Sequence, residues 1–503
     1  MNNRELAQKN IASGLLKLLV SIIMPFIIRT AMLYTLGKEY LGLNSLFTSI
    51  LSVLNLAELG FSNAIIYSMY KPIAQGDNKK ICALLSFYRK IYFAIGIIIF
   101  VCGIIITPFI TYFINGLWPR DINIYILFLI YLINVCISYW FFAYKTALLN
   151  ALKRVNIINF VQVFIYMLQY IIQLFILIFV KNYYCYIILT PISTIVINLV
   201  IARKASIEFP EYKCDGTIAE SDKKMIINNV KGILLYRISE TTRNSLDTIV
   251  ISSFIGLGMV AIYNNYYYIF TAVYGILVTI NQGTQAIIGN NLVVKSRENN
   301  YLDMNKYHTG IMCLVSWFSV CLICMYQPFM HLWVGDEMKL SNINVILLGL
   351  YFYVLNMNNI RNLYFDGKGL WLSGRWTFIL EIAGNLILNI VLGKYFGVSG
   401  VILATIVTIF IFSGICRTHI LYSSYFLCST KAFWLITGKN VFITMLSLLC
   451  TYIVCQLVHI DNGILKIIYN MVVCLIIPNF VLYIFYRNNQ MYKSILRQIK
   501  RRI

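Results

Sequence analysis

The run IYFAIGIIIFVCGIIITPFITYFI, residues 91–114, decides the class of fold. It contains no charged residue. It is long enough for a helix to cross the hydrocarbon core of a bilayer, which takes about twenty mainly apolar residues. Fourteen runs of this kind are predicted as transmembrane helices: 12–35, 41–69, 91–114, 122–148, 156–180, 184–202, 229–256, 258–290, 309–331, 343–365, 375–393, 398–421, 439–459 and 464–486.

The composition agrees with this interpretation. Of the 503 residues, 60% are hydrophobic and 12% are charged, whereas soluble domains have roughly 45–50% apolar and about 25% charged residues. A spanning barrel would need alternating segments of about ten residues, and these apolar runs are too long and continuous for that. The composition therefore predicts an all-α polytopic membrane protein. It argues against a soluble enzyme, a secreted domain or a nucleic-acid binder.

The distribution of basic residues predicts the topology. The chain carries 41 Lys and Arg against 19 Asp and Glu, a net charge of +22. About thirty of these cations fall in alternate loops and tails, six in the opposite loops and five inside spans. Because Lys and Arg collect in cytoplasmic loops, both termini are predicted to be cytoplasmic. The tail 493–502 is predicted to bind anionic lipid at the inner face of a plasma membrane.

The longest hydrophilic segment divides the predicted spans into groups. We expect an N-lobe of six spans at 1–202, a cytoplasmic linker at 203–228, a C-lobe of six spans at 229–422, and two extra spans with the basic tail at 423–503. A weak internal repeat supports two lobes, since Ala64-Ile65-Ile66 recurs as Ala286-Ile287-Ile288. Transporters built from such repeats place the substrate path between the halves.

The seventh predicted span carries four charged residues. Arg237, Glu240, Arg243 and Asp247 are spaced 3, 3 and 4 residues apart, which places them on one helical stripe about 120° wide. An ionisable group at the bilayer centre costs at least about 2.5–3.5 kcal/mol on insertion scales. We therefore expect this stripe to line a cavity.

Further ionisable residues lie inside other spans: Lys17 and Arg29 in the first, Glu58 in the second, Arg361 in the tenth and Glu381 in the eleventh. Pairing with one another is one interpretation of these charges, and contact with substrate is the other. The candidate substrate-binding cations are Lys17, Arg29, Arg237, Arg243 and Arg361. The candidate ion-coupling acids are Glu58, Glu240, Asp247 and Glu381.

Uncharged polar groups complete the candidate site. Tyr266 and Tyr267 belong to a tyrosine run in the eighth span, and Asn359 lies at the polar end of the tenth. Tyrosines near membrane edges are commonly interface anchors. They also offer a ring face and a hydroxyl to a sugar, so a substrate-facing role is the second interpretation.

No motif for an enzyme is found. A phosphate-binding glycine loop and a catalytic triad are absent from the sequence, so no cofactor is predicted. The energy for transport would come either from a gradient, with H⁺ and Na⁺ as the candidate coupling ions, or from the substrate itself. Most of the 13 cysteines lie in apolar runs, where a thiol packs as a small hydrophobe. Cys321 and Cys324 form a CxxC pair in mid-helix without a second pair, so no metal site is predicted.

Four stretches carry a resemblance to a known family. They are Leu36-Gly37-Lys38-Glu39-Tyr40-Leu41-Gly42-Leu43-Asn44-Ser45-Leu46-Phe47, Leu56-Ala57-Glu58-Leu59-Gly60-Phe61-Ser62-Asn63-Ala64-Ile65, Tyr70-Lys71-Pro72-Ile73-Ala74 and Tyr88-Arg89-Lys90-Ile91-Tyr92. Together they resemble the start of Wzx-type polysaccharide repeat-unit flippases. That family belongs to the MOP superfamily, with MATE drug exporters and the murein precursor flippase. The resemblance implies a MATE-like fold of two six-helix lobes with alternating access.

The resemblance also implies a function. Such a protein would move an undecaprenyl-diphosphate-linked oligosaccharide across the bacterial plasma membrane for capsule, exopolysaccharide or O-antigen synthesis. It would act beside a polysaccharide polymerase and chain-length proteins. Cavity cations such as Lys17, Arg29, Arg237 and Arg243 would hold the diphosphate. A drug exporter of the same superfamily, or a membrane-embedded glycan-assembly enzyme such as a polymerase, remains the alternative.

Overall fold

The computed structural model describes residues 3–58, 60–458, 460–488 and 493. The regular elements within these ranges are all helices. Leu59 and nearly all of the predicted basic tail lie outside the described residues. By their internal contacts the residues form two compact units, Met1–Ala261 and Ile262–Ile503, called here unit 1 and unit 2.

Unit 1 contains nine α-helices and the start of a tenth among its described residues. They are α1 (Asn3–Thr35), α2 (Lys38–Leu54), α3 (Phe61–Gln75), α4 (Asn78–Ile106), α5 (Ile124–Trp140), α6 (Ala143–Ala151), α7 (Val155–Phe175), α8 (Tyr183–Glu208) and α9 (Glu220–Phe254). Short 3₁₀ turns at Asn55–Glu58 and Thr107–Phe113 and a π-helical turn at Ile176–Val180 join or extend them. Side-chain caps from Asn123 and Asn182 begin α5 and α8.

Unit 2 holds most of α10 and the helices that follow it. They are α10 (Leu257–Val294), α11 (Arg297–Val334), α12 (Asn342–Met357), α13 (Asn359–Gly367), α14 (Arg375–Thr408), α15 (Arg417–Leu421), α16 (Lys431–Leu457) and α17 (Gly463–Tyr486). A 3₁₀ turn at Asp336–Met338 and π-helical segments at Ile409–Cys416 and Tyr422–Phe426 lie between them. Gly397, with a φ of 58°, reverses the chain inside α14, so this element contains two helices.

The predicted fold class is confirmed. Nine helices in the described ranges are long and apolar enough to cross a membrane, and the bent pair α5–α6 makes a tenth. The exact number of fourteen spans stays a prediction. The predicted span 41–69 is divided in the structure, because α2 ends at Leu54 and α3 begins only after Gly60, whose φ is 102°. This left-handed conformation is one that glycine adopts without strain.

Helix α9 belongs to unit 1. It packs against α2 and α3. The predicted layout places it in the second lobe, and those lobe boundaries stay a prediction. Near the start of α2, a β-carbon on Gly42 would lie 2.2 Å from the carbonyl oxygen of Leu257. Only a residue without a side chain lets the backbones approach this closely.

Candidate functional site

The predicted charged stripe lies on one uninterrupted helix. Because α9 runs without a break from Glu220 to Phe254, spacings of 3, 3 and 4 keep its four charged residues on one side. Near the middle of α9, Arg237 Nη1 lies 3.1 Å from Glu240 Oε2, and the two side chains are 44% and 33% exposed. An ion pair this exposed contributes little to stability. Both groups therefore retain surface that a ligand can reach.

The other end of the stripe is buried. Asp247 is 1% exposed, and Thr248 and Ser252 beside it are also buried. Arg243, one turn before Asp247, is partly buried. The stripe thus changes along α9, from an accessible pair at Arg237 and Glu240 to a carboxylate enclosed within unit 1.

Two further predicted cations lie on α1 of the same unit. Lys17 and Arg29 are both partly buried. Arg29 is close enough to Tyr186 of α8 to interact with it electrostatically. Helix α2 packs against both α1 and α9. Unit 1 therefore contains Lys17, Arg29, Arg237 and Arg243, four of the five predicted substrate-binding cations.

The predicted coupling acid Glu58 occupies the break between α2 and α3. Its Oε1 accepts a hydrogen bond of 2.5 Å from the Tyr92 hydroxyl, and its Oε2 accepts one of 3.3 Å from Tyr139. The ring of Tyr88 stacks on that of Tyr92, with 4.0 Å between centroids. A β-carbon on Gly60 would be 3.7 Å from Val230, and the turn that carries Glu58 packs against α9. Two tyrosine donors hold the carboxylate in one orientation.

Arg361 lies in the interior of unit 2. It is 0% exposed. Its Nη2 donates to Asn362 Oδ1 at 2.6 Å and to Ser413 Oγ at 3.1 Å, while its Nε and Nη1 have no hydrogen-bond partner among the described residues. Asn359 is partly buried, and its amide donates to Asn356 Oδ1 at 2.8 Å. In this conformation Arg361 binds neutral groups inside the helix bundle.

Glu381 has a partner that the sequence reasoning missed. It forms a buried ion pair with Arg417, which also donates to Thr377 Oγ1 at 3.1 Å. The guanidinium carbon of Arg417 lies 4.0 Å from the centroid of the Phe378 ring. The count of basic residues includes Arg417 among the cations of the cytoplasmic loops, although the residue lies near the end of the predicted span 398–421. The structure corrects this and places Arg417 in a buried helical turn.

The two predicted tyrosines differ in exposure. Tyr266 is 0% exposed, and its hydroxyl bonds Gln327 Oε1 at 3.0 Å and the Leu340 amide at 3.1 Å. Tyr267 is only partly buried and stacks on Tyr263, with 5.9 Å between centroids. Tyr266 supports the packing of unit 2 in this conformation, whereas Tyr267 keeps some accessible surface.

These residues make two kinds of polar site, one in each unit. Unit 1 carries partly exposed cations and a tyrosine-held carboxylate, and unit 2 carries buried arginines with one ion pair. Arginine and lysine at partly buried positions suit phosphate groups, which accept charge-assisted hydrogen bonds.

Comparison with known proteins identifies the fold. No family model matches the sequence, and no curated protein matches it. The structure of the lipid II flippase MurJ in an inward closed conformation superposes with a TM-score of 0.68 at 16% identity, covering 97% of this chain and 99% of that one.

MATE transporters have the same architecture. An inward-facing multidrug resistance MATE family transporter of the MOP superfamily gives a TM-score of 0.63 at 13% identity, covering 80% of this chain and 95% of that one. The Vibrio cholerae MATE transporter VcmN in its bent form gives 0.52 at 13% identity, covering 88% and 98%. The chain is thus a multi-pass membrane protein with the fold shared by MurJ and the MATE transporters.

Proposed function

We propose that this protein is a flippase of the bacterial plasma membrane. It moves an undecaprenyl-diphosphate-linked oligosaccharide repeat unit from the cytoplasmic to the outer leaflet by alternating access. The glycan is destined for a capsule, an exopolysaccharide or an O-antigen. A polysaccharide polymerase and chain-length proteins would then use the unit on the outer face.

The cations of unit 1 carry this proposal. Arg237 and Arg243 on α9 and Lys17 and Arg29 on α1 lie in helices of a membrane protein, where a charged side chain is costly to place. A diphosphate offers several anionic oxygens, which Arg binds with a planar fork of donors. We infer that Arg237, with nearly half of its side chain exposed, makes the first contact with the diphosphate.

The fold supports a lipid-linked substrate. One of the solved structures with this fold is that of a lipid II flippase, and the similarity covers nearly the whole of both chains. We therefore favour a substrate with a lipid tail and a polar head. Tyr267 and Asn359 are proposed to contact the glycan, since both keep accessible surface. Tyr266 and Arg361 are fully buried, so any contact with substrate requires a second conformation.

Coupling to an ion is assigned to the acids. Glu58 is the foremost candidate for H⁺ or Na⁺ coupling, because its tyrosine partners are neutral. Glu240 and Glu381 are hydrogen-bonded to arginines, and Asp247 is enclosed. Proton or sodium binding at these three would have to compete with existing contacts.

A drug exporter is the second candidate, favoured by the similarity to multidrug MATE transporters. Organic cations would require a net acidic site. The predicted site residues of unit 1 are the four cations Lys17, Arg29, Arg237 and Arg243 and the three acids Glu58, Glu240 and Asp247. This excess favours an anionic substrate.

Complementation tests the proposal. A capsule-producing host that lacks its own flippase would receive the native gene, the Arg237→Ala/Arg243→Ala double variant, or Lys224→Ala. Lys224 is an exposed cation near the start of α9 and serves as the matched control. We expect surface polymer with the native gene and the control, and accumulated lipid-linked repeat units with the double variant at equal expression. Full export by the double variant would contradict the cation assignment, and dye resistance without any export would favour the drug exporter.

A further inference from the structure

Three cysteine thiols meet in the interior of unit 2. Cys324 on α11, Cys455 on α16 and Cys474 on α17 place their sulfur atoms within 4.8 Å of one another. The three residues are 5%, 2% and 2% exposed. All three are free thiols. We call them the tris-thiol cluster.

The surrounding helices hold the cluster in register. Helices α11, α16 and α17 pack against one another in all three pairs. Trp317 Nε1 donates to the Cys474 carbonyl oxygen at 2.9 Å. The Tyr469 hydroxyl donates to the Val454 carbonyl oxygen, adjacent to Cys455, at 2.8 Å. The backbone that positions the sulfur atoms is thereby fixed before any ligand arrives, which lowers the ordering cost of binding.

The donor set selects the class of ligand. Thiolates are soft ligands and prefer soft, thiophilic ions. Structural zinc sites take four ligands in a tetrahedron, and this cluster supplies three. An ion that is satisfied by three sulfur ligands fits the cluster best.

Charge decides among the thiophilic ions. Three thiolates around Zn²⁺ give a net charge of −1, and around Cu⁺ a net charge of −2. Around trivalent arsenic they give a neutral complex. A net charge on the complex carries a desolvation cost inside a helix bundle that a single neighbouring cation repays only in part, so the neutral complex is preferred. We propose that the tris-thiol cluster is a binding site for trivalent arsenic.

The reaction is a ligand exchange without electron transfer. Arsenous acid, As(OH)₃, is neutral and can enter an apolar bundle. Each of its three As–O bonds is replaced by an As–S bond to Cys324, Cys455 or Cys474. Each thiol proton leaves with a hydroxide as water, so three molecules of water are released.

Lys466 provides a way to distinguish the charge of the bound complex. Its Nζ donates to the carbonyl oxygens of Cys455 and Val458, at 2.8 Å each, so its charge lies next to the cluster. An anionic zinc complex would be stabilised by this cation. A neutral arsenic complex would not depend on it. The Lys466→Gln variant keeps a donor at this position and removes the charge.

The experiment uses the reduced chain purified in detergent and titrated with arsenite or with Zn²⁺. For the native chain we expect one arsenic atom bound, a mass that has lost three hydrogens, and three As–S bonds in X-ray absorption. Cys455→Ala should bind arsenite at least about tenfold more weakly. Lys466→Gln should bind it as tightly as the native chain.

Two controls exclude other thiols. Cys136 is a buried cysteine of unit 1, and Cys82 is near enough to Cys214 to interact with it electrostatically. Cys136→Ala and Cys82→Ala should retain arsenite binding by the cluster. Unchanged binding in Cys455→Ala would overturn the proposal. Tighter binding of Zn²⁺ than of arsenite, weakened by Lys466→Gln, would also overturn it. If Cys455→Ala does not fold, the number of As–S bonds in the native chain decides: fewer than three would refute the site.

Discussion

Glu381 accepts a hydrogen bond from the guanidinium of Arg417, and both side chains are buried in the interior of unit 2. The two residues come from opposite sides of the reversal at Gly397. The ion pair therefore ties the first half of α14 to the helical turn that follows the π-helical segment Ile409–Cys416. It compensates two buried charges, each of which would be costly without its partner.

The first prediction concerns this ion pair. Arg417→Ala leaves the Glu381 carboxylate buried without its partner. We therefore expect the free energy of unfolding to fall by about 3–5 kcal/mol. The Glu381→Gln/Arg417→Met double variant should lose less than Arg417→Ala, because it leaves no isolated charge. Thermal unfolding in detergent measures both. Arg375→Ala, at an exposed position at the start of α14, is the control and should be nearly neutral. Equal losses for Arg417→Ala and Arg375→Ala would disprove a stabilising ion pair.

The second prediction concerns the close approach at Gly42. A β-carbon there would lie 2.2 Å from the Leu257 carbonyl oxygen and 2.8 Å from its carbon, so backbone would have to move. We expect Gly42→Ala to lower the free energy of unfolding by at least about 1–3 kcal/mol, which is the effect of overpacking a closely packed site. Gly275→Ala is the matched control, since a β-carbon at that position would have no atom of the described residues within 4 Å. Alanine should be neutral or stabilising there. Size-exclusion profiles and unfolding temperatures would reveal the difference.

The third prediction concerns Glu58 and its tyrosines. Glu58→Gln removes the ionisable group, and we expect ion-driven transport in vesicles to be abolished. Tyr92→Phe removes the shorter hydrogen bond, 2.5 Å against 3.3 Å for Tyr139. Because hydrogen bonds to charged groups contribute about 1.5–3 kcal/mol, Tyr92→Phe should change the pH dependence of transport more than Tyr139→Phe. An unaltered response of Glu58→Gln to the ion gradient would remove Glu58 from coupling.

The fourth prediction concerns pH and the loop after α11. Hydrogen bonds from Lys339 and His331 lower the pKa of the exposed Asp336 below its ordinary value. The contacts therefore stabilise the loop above the unfolded pKa of about 3.9, and this contribution is lost as pH falls through the lower folded pKa. Hydrogen exchange at residues 335–341, corrected for the intrinsic rate, should rise on acidification in the native chain. Asp336→Asn should exchange fast at every pH. A native loop whose protection stays constant to low pH would contradict this.

Much of the architecture is predictable from the sequence, because apolar runs of this length have one stable solution in a bilayer. The stripe on α9 is also predictable, since helical periodicity alone places Arg237 and Asp247 on one side. The break at Gly60 is not predicted by hydropathy or by helical periodicity. Hydropathy is continuous across 41–69, and the left-handed conformation of one glycine depends on the neighbours it packs against.

Contacts between distant residues explain what the sequence analysis missed. Arg417 lies 36 residues after Glu381, and only the reversal at Gly397 brings them together. The tris-thiol cluster has the same cause. Cys324 and Cys455 are more than a hundred residues apart, and the conspicuous CxxC partner Cys321 is not one of the three. The spacing of residues in the sequence predicts which side chains share one face of a single helix. The Glu381–Arg417 ion pair and the tris-thiol cluster are each formed by residues of different helices.

The charged stripe on α9 also constrains how the chain is made. Four ionisable groups, each costing at least about 2.5–3.5 kcal/mol in the bilayer, oppose entry of α9 as an isolated helix from the insertion machinery. Helices α2 and α3, which pack against α9, leave the ribosome well before it. The N-terminal helices thereby serve as an intramolecular chaperone for α9. The early helices of this protein must therefore remain at the insertion site until α9 has been synthesised.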